Sequence, residues 1–461
     1  MSDSATSALD LSDIQGFILR GYHMQHVSHF ICRINNVAAA KRLLAKASGP
    51  NSDFLQVTTA APWAQGKPAY CLNIGIPYAG LSRLINTQDI KFPGRQFNQT
   101  TSAYEQGAKA AAPRIGDTGA SGPQYWQGEL GTDNAQVVFS LYSADQEAQD
   151  KYSKILTEGV AKAEAFELLH QFNGAAFAGD KIHFGYRDGI AQPQIENGPA
   201  KPLADDQVKV PSWHFVLQQA DEATYKITTE QEKQLLINGS FAAFRVLEQD
   251  VTGFEDYLNN PKVTAQIEPE MLAAKMCGRW RNGDPLVLNP DNKTEVAPAD
   301  INNFEYFNAD PDGIRCPVSS HIRRTNPRNQ VVPGNTGGKS IPEHRIIRRG
   351  MPYGPKYSAS SGSDGIERGL LGLFICSDLI EQFEFISTLW VQGSNFSTNG
   401  PAGKDPLLGT NDVNDSIFKI PQAEGEPIVL EGFPQFIKTR GSAYVFLPSI
   451  TALKYIAQAQ V

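Results

Sequence analysis

A short cationic segment, residues 315–354, stands apart from an otherwise acidic chain. The whole chain has a formal net charge of -8, yet arginine recurs throughout this segment. Such clustering indicates that the chain meets fixed negative charge there, and arginine suits bidentate binding of carboxylates in partly buried sites. One histidine, His321, lies two residues before Arg323. One imidazole can bind a metal, and nearby guanidiniums can bind carboxylates. Together they suit a metal macrocycle that carries carboxylate groups, which predicts haem. The arginines are Arg315, Arg323, Arg324, Arg328, Arg345, Arg348 and Arg349.

Length and charge exclude several classes of protein. With 461 residues, the chain exceeds the usual size of a single hydrophobic core, which predicts two domains or one duplicated domain. The acidic balance argues against a nucleic-acid partner. No apolar run approaches the roughly 18 residues that a membrane span needs. The polar N-terminus lacks the features of a signal peptide, so we expect a cytoplasmic protein unless a leader has been removed.

The five cysteines predict neither a disulfide framework nor a zinc site. They are odd in number, far apart and without CxxC spacing, so we interpret them as small buried apolar residues. Without a CxxCH motif, covalent c-type attachment of haem is excluded. His23, His26 and His29 recur at three-residue spacing but have no carboxylate or cysteine partner nearby, so we expect them at the surface.

Apolar periodicity predicts an α+β fold in which strands alternate with helices. Residues 145–172 are expected to form one long helix with an apolar side. The tripeptide Phe-Ile-Cys occurs at residues 30–32 and again at 374–376, which hints at a duplicated unit. The predicted strands are residues 28–34, 70–76, 135–142, 213–217, 240–247, 369–377 and 442–448.

A second informative stretch, IHFGYRDGIAQP, spans residues 182–193. Asp188 lies between Arg187 and Gly189, in a glycine-flanked turn that would present a carboxylate to a cavity. The alternative is an ordinary β-turn aspartate, for which these residues are also typical. His321 and the arginine cluster favour the functional interpretation.

Motifs from one end of the chain to the other, in the same order, resemble those of the dye-decolorizing peroxidases. The family's GxxDG signature matches residues 185–189. The length and long loops of this chain are most similar to those of the larger fungal and related bacterial members. The other matching stretches are DIQG at 13–16, GRWRNGDPL at 278–286, CPVSSHIRRTNPR at 316–328 and RIIRRGMPYG at 345–354.

This resemblance implies a fold and a cofactor. The fold would be α+β, with two ferredoxin-like domains of antiparallel sheets and helices. One haem b per chain would lie in the C-terminal half. A proline-rich stretch at residues 197–202 suggests the boundary, which gives domains at residues 1–200 and 201–461.

The resemblance also implies roles on the iron-ligand side. His321 would be the axial iron ligand, and Arg323 would pair with a haem propionate. Asp405 would accept the other N–H of the imidazole, which raises the basicity of such a ligand. A turn aspartate before proline is the alternative for Asp405. Ile190, beside the GxxDG motif, would contact the cofactor.

Asp188 and Arg348 would form the peroxide side. A carboxylate can move a proton between the two peroxide oxygens, and an arginine can stabilise the negative charge that develops on them. Arg349 is the alternative to Arg348. Because the reference pKa of a carboxylate is about 4 and that of histidine about 6.5, a carboxylate shuttle predicts an acidic optimum for dye oxidation.

Bulky dyes would not enter a pocket sized for peroxide, so electrons would pass through surface aromatics. Tyr353 and Trp390 match positions that serve in this way in some members, although each is also an ordinary aromatic in an apolar setting. Residues 370–375 align with the strand that roofs the peroxide side. Many members have Phe where this chain has Gly372, which leaves the size of the pocket open.

The sequence therefore predicts a haem peroxidase that uses hydrogen peroxide to oxidise dyes, phenols and other small organic donors. One alternative is a haem-handling module with incidental peroxidase activity, and another is a haem-free binding protein whose arginines hold a different anion. Asp188 and Arg348 favour the enzyme, because a handling module does not need them. A homodimer is left open.

Overall fold

Two four-stranded antiparallel sheets organise the chain. The first sheet uses residues 26–175 and the second uses residues 240–447, and both carry helices, which confirms the predicted α+β fold of two ferredoxin-like units. The domain boundary proposed at residue 200 lies outside the described residues. The structure is a computed structural model that describes residues 9–50, 54–95, 100–199, 208–220, 223, 225–332, 335–338, 341–358, 364–396 and 403–459.

The first sheet has the strand order β2-β3-β1-β4. The helices α2 and α5 pack on one face of it, where Leu44 and Leu156 share a core with Phe30 and Phe139. Both helices begin at a side-chain cap, and that of Asp145 accepts the Ala148 N–H at 2.8 Å. The elements are α1 (Gly16–Leu19), β1 (His26–Ile34), α2 (Val37–Ser48), β2 (Tyr70–Gly75), α3 (Tyr78–Leu84), α4 (Ala103–Ala111), β3 (Val137–Ser143), α5 (Gln146–Lys162) and β4 (Phe166–Ala175).

The prediction of one helix over residues 145–172 was wrong. Helix α5 ends at Lys162, and β4 begins at Phe166 after a turn in which Glu164 has a φ of 51°. Beyond the turn, β4 pairs antiparallel with β1 along its whole length. The tertiary pairing with β1 therefore overrides the helical periodicity of the local sequence.

The second sheet has the order β10-β11-β7-β14 and repeats the plan of the first. Its elements and those around it are β5 (Gln194–Ile195), β6 (Lys209–Val210), α6 (Glu230–Leu236), β7 (Ser240–Gln249), α7 (Val251–Leu258), α8 (Pro261–Thr264), α9 (Pro269–Cys277), α10 (His321–Thr325), β8 (Val331–Val332), β9 (Asn335–Thr336), β10 (Ile347–Tyr353), β11 (Gly369–Cys376), π-helical turns at Leu379–Glu384 and Ile386–Val391, β12 (Ile417–Ile420), β13 (Ile428–Glu431), β14 (Ile437–Leu447) and α11 (Ile450–Gln458).

The two large sheets pack face to face through a shared apolar core. Val27 and Val138 of the first sheet meet Phe244, Leu371 and Ile347 of the second. Because successive side chains of a strand point to opposite faces, the neighbouring residues on β7, β10 and β11 point away from this core. That opposite face of the second sheet borders the cavity described below.

Three predictions about residue placement have clear outcomes. All five cysteines are free and buried, as predicted. Of the three N-terminal histidines, His23 is exposed and His26 half-buried, but His29 is buried and contacts Ser140 Oγ at 2.9 Å, so its surface placement was wrong. Across the described ranges, every helix is too short or too polar to cross a membrane.

Candidate active site

A cavity lies against the outer face of the second sheet. Several residues singled out from the sequence line it together, among them His321, Asp188, Ile190 and Arg348. They come from three separate segments, namely helix α10, the loop that contains the GxxDG motif and strand β10. Folding therefore brings one imidazole, one carboxylate and one guanidinium to the same enclosed space.

His321, the first residue of α10, is oriented by Asp405. Nδ1 of His321 lies 2.7 Å from Oδ2 of Asp405, which is fully buried. Oδ1 of Asp405 accepts the backbone N–H groups of Leu407 and Leu408, each at 2.9 Å. Because a carboxylate only accepts hydrogen bonds, Nδ1 carries the proton and Nε2 is left with a free lone pair. His321 is thus prepared to bind a metal through Nε2.

The carboxyl of Asp405 is held in its ionised form. Burial by itself would raise its pKa, but His321, the Leu408 N–H and the nearby Arg324 guanidinium outweigh burial and hold the pKa below its ordinary value. An ionised acceptor increases the electron density of the imidazole that donates to it.

Asp188 and Arg348 form an ion pair at the cavity wall. Nη2 of Arg348 lies 3.3 Å from Oδ1 of Asp188, and both side chains are about one-third exposed. Arg349 takes the opposite face of β10, where Nε donates to the carbonyl of Phe17 at 2.6 Å. Burial lowers the pKa of Arg349 to about 10. The pairing with Asp188 therefore belongs to Arg348.

Strand β11 pairs with β10 and lines the cavity next to this ion pair. Leu370, Gly372 and Phe374 lie on its cavity side. A Cβ placed on Gly372 would approach the Phe374 ring to 3.1 Å, so that ring already occupies the space beside the glycine. Phe374 thus places an aromatic ring on this side of the cavity although residue 372 has no side chain.

Three further arginines give the cavity an excess of positive charge. Arg279, Arg328 and Arg345 line it, and within the described part of the chain none of them forms an ion pair with a carboxylate. Burial, helped by the charges of Arg328 and Arg348, lowers the pKa of Arg345 to about 9. Cations in a partly buried site need an anionic partner, so the cavity is suited to a ligand that carries carboxylates.

Relatives of the chain agree with this geometry. No protein-family model matches the chain. It is 30% identical to the dye-decolorizing peroxidase msp1 of Mycetinis scorodonius, with 99% of this chain and 89% of that protein covered. A dye-decolorizing peroxidase of Exidia glandulosa is 31% identical, with 97% and 87% covered. The chain belongs to the dye-decolorizing peroxidase family.

The same assignment follows from structure comparison. The crystal structure of a fungal DyP-type peroxidase from Auricularia auricula-judae matches with a TM-score of 0.81 at 26% identity, and covers 98% of this chain and 100% of that one. Dye-decolorizing peroxidases are haem peroxidases that depend on hydrogen peroxide.

The cavity fits the haem of a dye-decolorizing peroxidase by the chemistry of its lining. Across the described ranges, no three His, Cys, Asp or Glu side chains group together as a metal site. An iron bound by His321 must therefore bring its remaining ligands with it, as a porphyrin does. The cavity arginines without an ion-pair partner among the described residues would supply partners for the porphyrin carboxylates.

The structure contradicts the predicted propionate contact of Arg323. This side chain is fully buried outside the cavity, where Nη1 donates to Asp310 Oδ2 at 3.0 Å and to the Cys316 carbonyl at 2.6 Å. Its guanidinium also stacks 4.3 Å from the centre of the Tyr306 ring. Arg323 therefore anchors α10 to the preceding loop. Arg328 and Arg345 face the cavity instead.

The structure also contradicts the predicted surface position of Trp390. Its side chain is only 2% exposed and packs against His344 and Phe385, with both ring centroids 5.3 Å away. Tyr353 is half-buried outside the cavity, and its hydroxyl donates to Glu367 Oε1 at 2.9 Å. A role of Tyr353 in electron transfer to dyes stays a prediction.

Sequence reasoning missed three residues of this dye-decolorizing peroxidase site. Arg328 and Arg345 belonged to the recognised arginine cluster, but spacing alone could not separate cavity-facing arginines from structural ones. Gln192 lies inside the GxxDG stretch and contacts the main chain of Arg348. No sequence signal distinguished its amide from that of Gln194, two residues further on.

Proposed function

We propose that this protein is a haem b peroxidase, with one haem per chain, that reduces hydrogen peroxide and oxidises dyes, phenols or other small organic donors. The observation that carries the proposal is that His321, held by Asp405, and the Asp188–Arg348 pair line one cavity. Haem b would supply the iron that binds peroxide and the electrons for its reduction.

His321 would bind the iron through Nε2, with Asp405 holding the opposite nitrogen. Arg328 and Arg345 would hold the haem carboxylates. Arg328 is itself fixed by its bonds to the carbonyls of Asn302 at 3.1 Å and Phe304 at 2.8 Å, so its position does not depend on the ligand. Ile190, which lines the cavity with Asp188, would contact the macrocycle.

Asp188 would move the proton that peroxide reduction requires. The carboxylate would take a proton from one peroxide oxygen and return it to the other, which then leaves as water. Arg348 would stabilise the negative charge that develops on these oxygens, and as a guanidinium it stays charged throughout. The 3.3 Å contact between the two side chains supports their joint action at one position.

The test is stopped-flow mixing of the haem-loaded protein with peroxide, followed by the change in Soret absorbance. We expect Asp188→Asn and Arg348→Leu to slow this change by about 100-fold or more, since a general acid–base group or one charge stabiliser contributes about that factor. Asp180→Asn is the matched control, because it is the same substitution at an exposed residue of the same loop. If both variants react at the wild-type rate, the proposal is wrong.

A further inference from the structure

The main chain of Arg348 is held from outside its sheet by one side chain, that of Gln192. Strand β10 is the outermost strand of its sheet, so among the described residues the backbone groups along its free edge have no strand partner. Nε2 of Gln192 donates to the Arg348 carbonyl at 2.9 Å, and Oε1 accepts the Arg348 N–H at 3.2 Å. These two bonds reproduce the pairing that a neighbouring strand would supply. The carbonyl accepts one longer bond as well, from Arg349 Nη1 at 3.3 Å.

The loop that carries Gln192 also carries Asp188, four residues earlier. At the other end of β10, Nε2 of His183 contacts the Tyr353 carbonyl at 2.8 Å, so the loop is tied to the strand at two points. Between them the Asp188 carboxylate lies beside Gly350, whose notional Cβ would be 3.9 Å from Oδ2. The separation of Asp188 and Arg348 is therefore set by contacts between the loop and the strand edge.

We infer that Gln192 is a positioning residue for the peroxide side of the site. Its amide fixes the main chain of Arg348 relative to Asp188, so that the guanidinium stays at the carboxylate and faces the cavity. This inference rests on the proposed function, because it assigns Gln192 to the pair of residues that this function uses. Displacing a catalytic group by about 1 Å can lower a rate by about 100-fold, so a two-point clamp on the main chain has a kinetic consequence.

The test compares Gln192→Met with Gln194→Met. Methionine has a similar length but makes neither of the two hydrogen bonds. Gln194 is a matched control, because it is also half-buried and its amide oxygen has no hydrogen-bond partner within the described part of the chain. Equal thermal unfolding and an equal Soret spectrum establish that each variant is folded and loaded.

Hydrogen–deuterium exchange tests the clamp without any turnover. In Gln192→Met we expect the Arg348 amide to exchange about tenfold faster, because its N–H loses its acceptor, whereas Gln194→Met leaves it unchanged. Unaltered exchange at Arg348 overturns the inference. Exchange that rises equally in strand β14 also overturns it, because that result marks general destabilisation.

Stopped-flow mixing with peroxide tests the consequence for the site. We expect about a tenfold slower Soret change in Gln192→Met. In steady-state turnover the KM for the organic donor should be unchanged, since only the peroxide side is displaced. Faster exchange with an unaltered peroxide rate, or an equal effect of Gln194→Met, overturns the inference.

Arg348→Leu is measured in the same series. If Arg348→Leu reacts slowly with peroxide while Gln192→Met reacts at the wild-type rate, this inference is wrong and the proposed function still holds. If Arg348→Leu instead reacts with peroxide at the wild-type rate, Arg348 has no part in the proposed function itself.

Discussion

Arg348 and Arg349 are neighbours in the chain but serve opposite faces of strand β10. Arg348 points to the cavity and contacts Asp188 at 3.3 Å, whereas Arg349 donates to the Phe17 carbonyl of helix α1 at 2.6 Å. The alternation of side chains along a strand imposes this division. One arginine is therefore available for chemistry, and the other joins the second sheet to the N-terminal segment.

Removing the acceptor of His321 should weaken the haem site. In Asp405→Asn the imidazole loses its anionic partner, so we expect haem affinity to fall by about 10- to 100-fold and the iron reduction potential to rise. Haem titration and spectroelectrochemistry measure the two effects. Asp415→Asn is the control, because its carboxyl is 63% exposed and does not line the cavity. Equal affinity and potential in Asp405→Asn and the control would contradict the prediction.

Arg345 should have opposite effects on the haem-free and haem-loaded protein. Without an anion nearby, its charge is costly, which is why burial with Arg328 and Arg348 lowers its pKa to about 9. We expect Arg345→Met to stabilise the haem-free protein by about 1 kcal/mol in urea unfolding while it weakens haem binding. A variant that loses stability in the haem-free state, or binds haem as tightly as wild type, would show that Arg345 is not an unpaired cation awaiting a ligand.

The ion pair of Asp117 and Arg245 should be a strong determinant of stability at the cavity edge. Nη2 of Arg245 donates to Asp117 Oδ1 at 2.7 Å, and both side chains are at most 8% exposed. Asp117→Asn leaves a buried cation without its counterion, so we expect a loss of about 3–5 kcal/mol in the free energy of unfolding. The double variant Asp117→Leu/Arg245→Met should lose less than Asp117→Asn. If the double variant loses as much as the sum of the losses in the two single variants at Asp117 and Arg245, the residues are not a coupled pair.

Asp378 should make stability depend on pH. Its Oδ1 accepts the backbone N–H groups of Ile380 at 2.9 Å and Glu381 at 3.0 Å at the start of the π-helical segment. Burial, together with the charges of Glu381 and Glu384, raises its pKa to about 6. Since the folded pKa lies above the unfolded value, its contribution to stability is complete below pH 4 and is lost as the pH rises through 6.

The substitution Asp378→Asn keeps the cap and removes the charge. We expect it to match wild type at pH 4 and to exceed it by about 2–3 kcal/mol at pH 7.5 in urea unfolding, about 1.4 kcal/mol for each tenfold change in proton affinity. Asp145→Asn is the control, because Asp145 caps α5 from an exposed position. A gain at pH 4 as large as that at pH 7.5 would rule out titration of Asp378 as the cause.

Much of the site could be read from residue types and order. His321, within an arginine-rich segment, predicted haem, and together they favoured a cavity-facing carboxylate over an ordinary turn aspartate for the glycine-flanked Asp188. These features are local, because a turn or a cationic cluster is specified by adjacent residues. Strand and helix positions were predicted well where periodicity was consistent. They were wrong at residues 145–172, where pairing between β4 and β1 decided the structure, and at residues 213–217, which form a short 3-10 helix and a turn instead of a strand.

The amino-acid sequence by itself predicted the fold class, which the structure confirms, and proposed a haem cofactor and a site that combines an imidazole with a carboxylate and arginines. Only the tertiary structure decided which arginine does what: Arg323 is buried against Asp310, Arg348 meets Asp188, and Arg345 faces the cavity unpaired. The physical reason is that a guanidinium has the same chemistry at every position. Its role depends on which acceptors the folded chain brings within hydrogen-bond distance, and some of them, such as Asp188 beside Arg348, lie far away in the sequence.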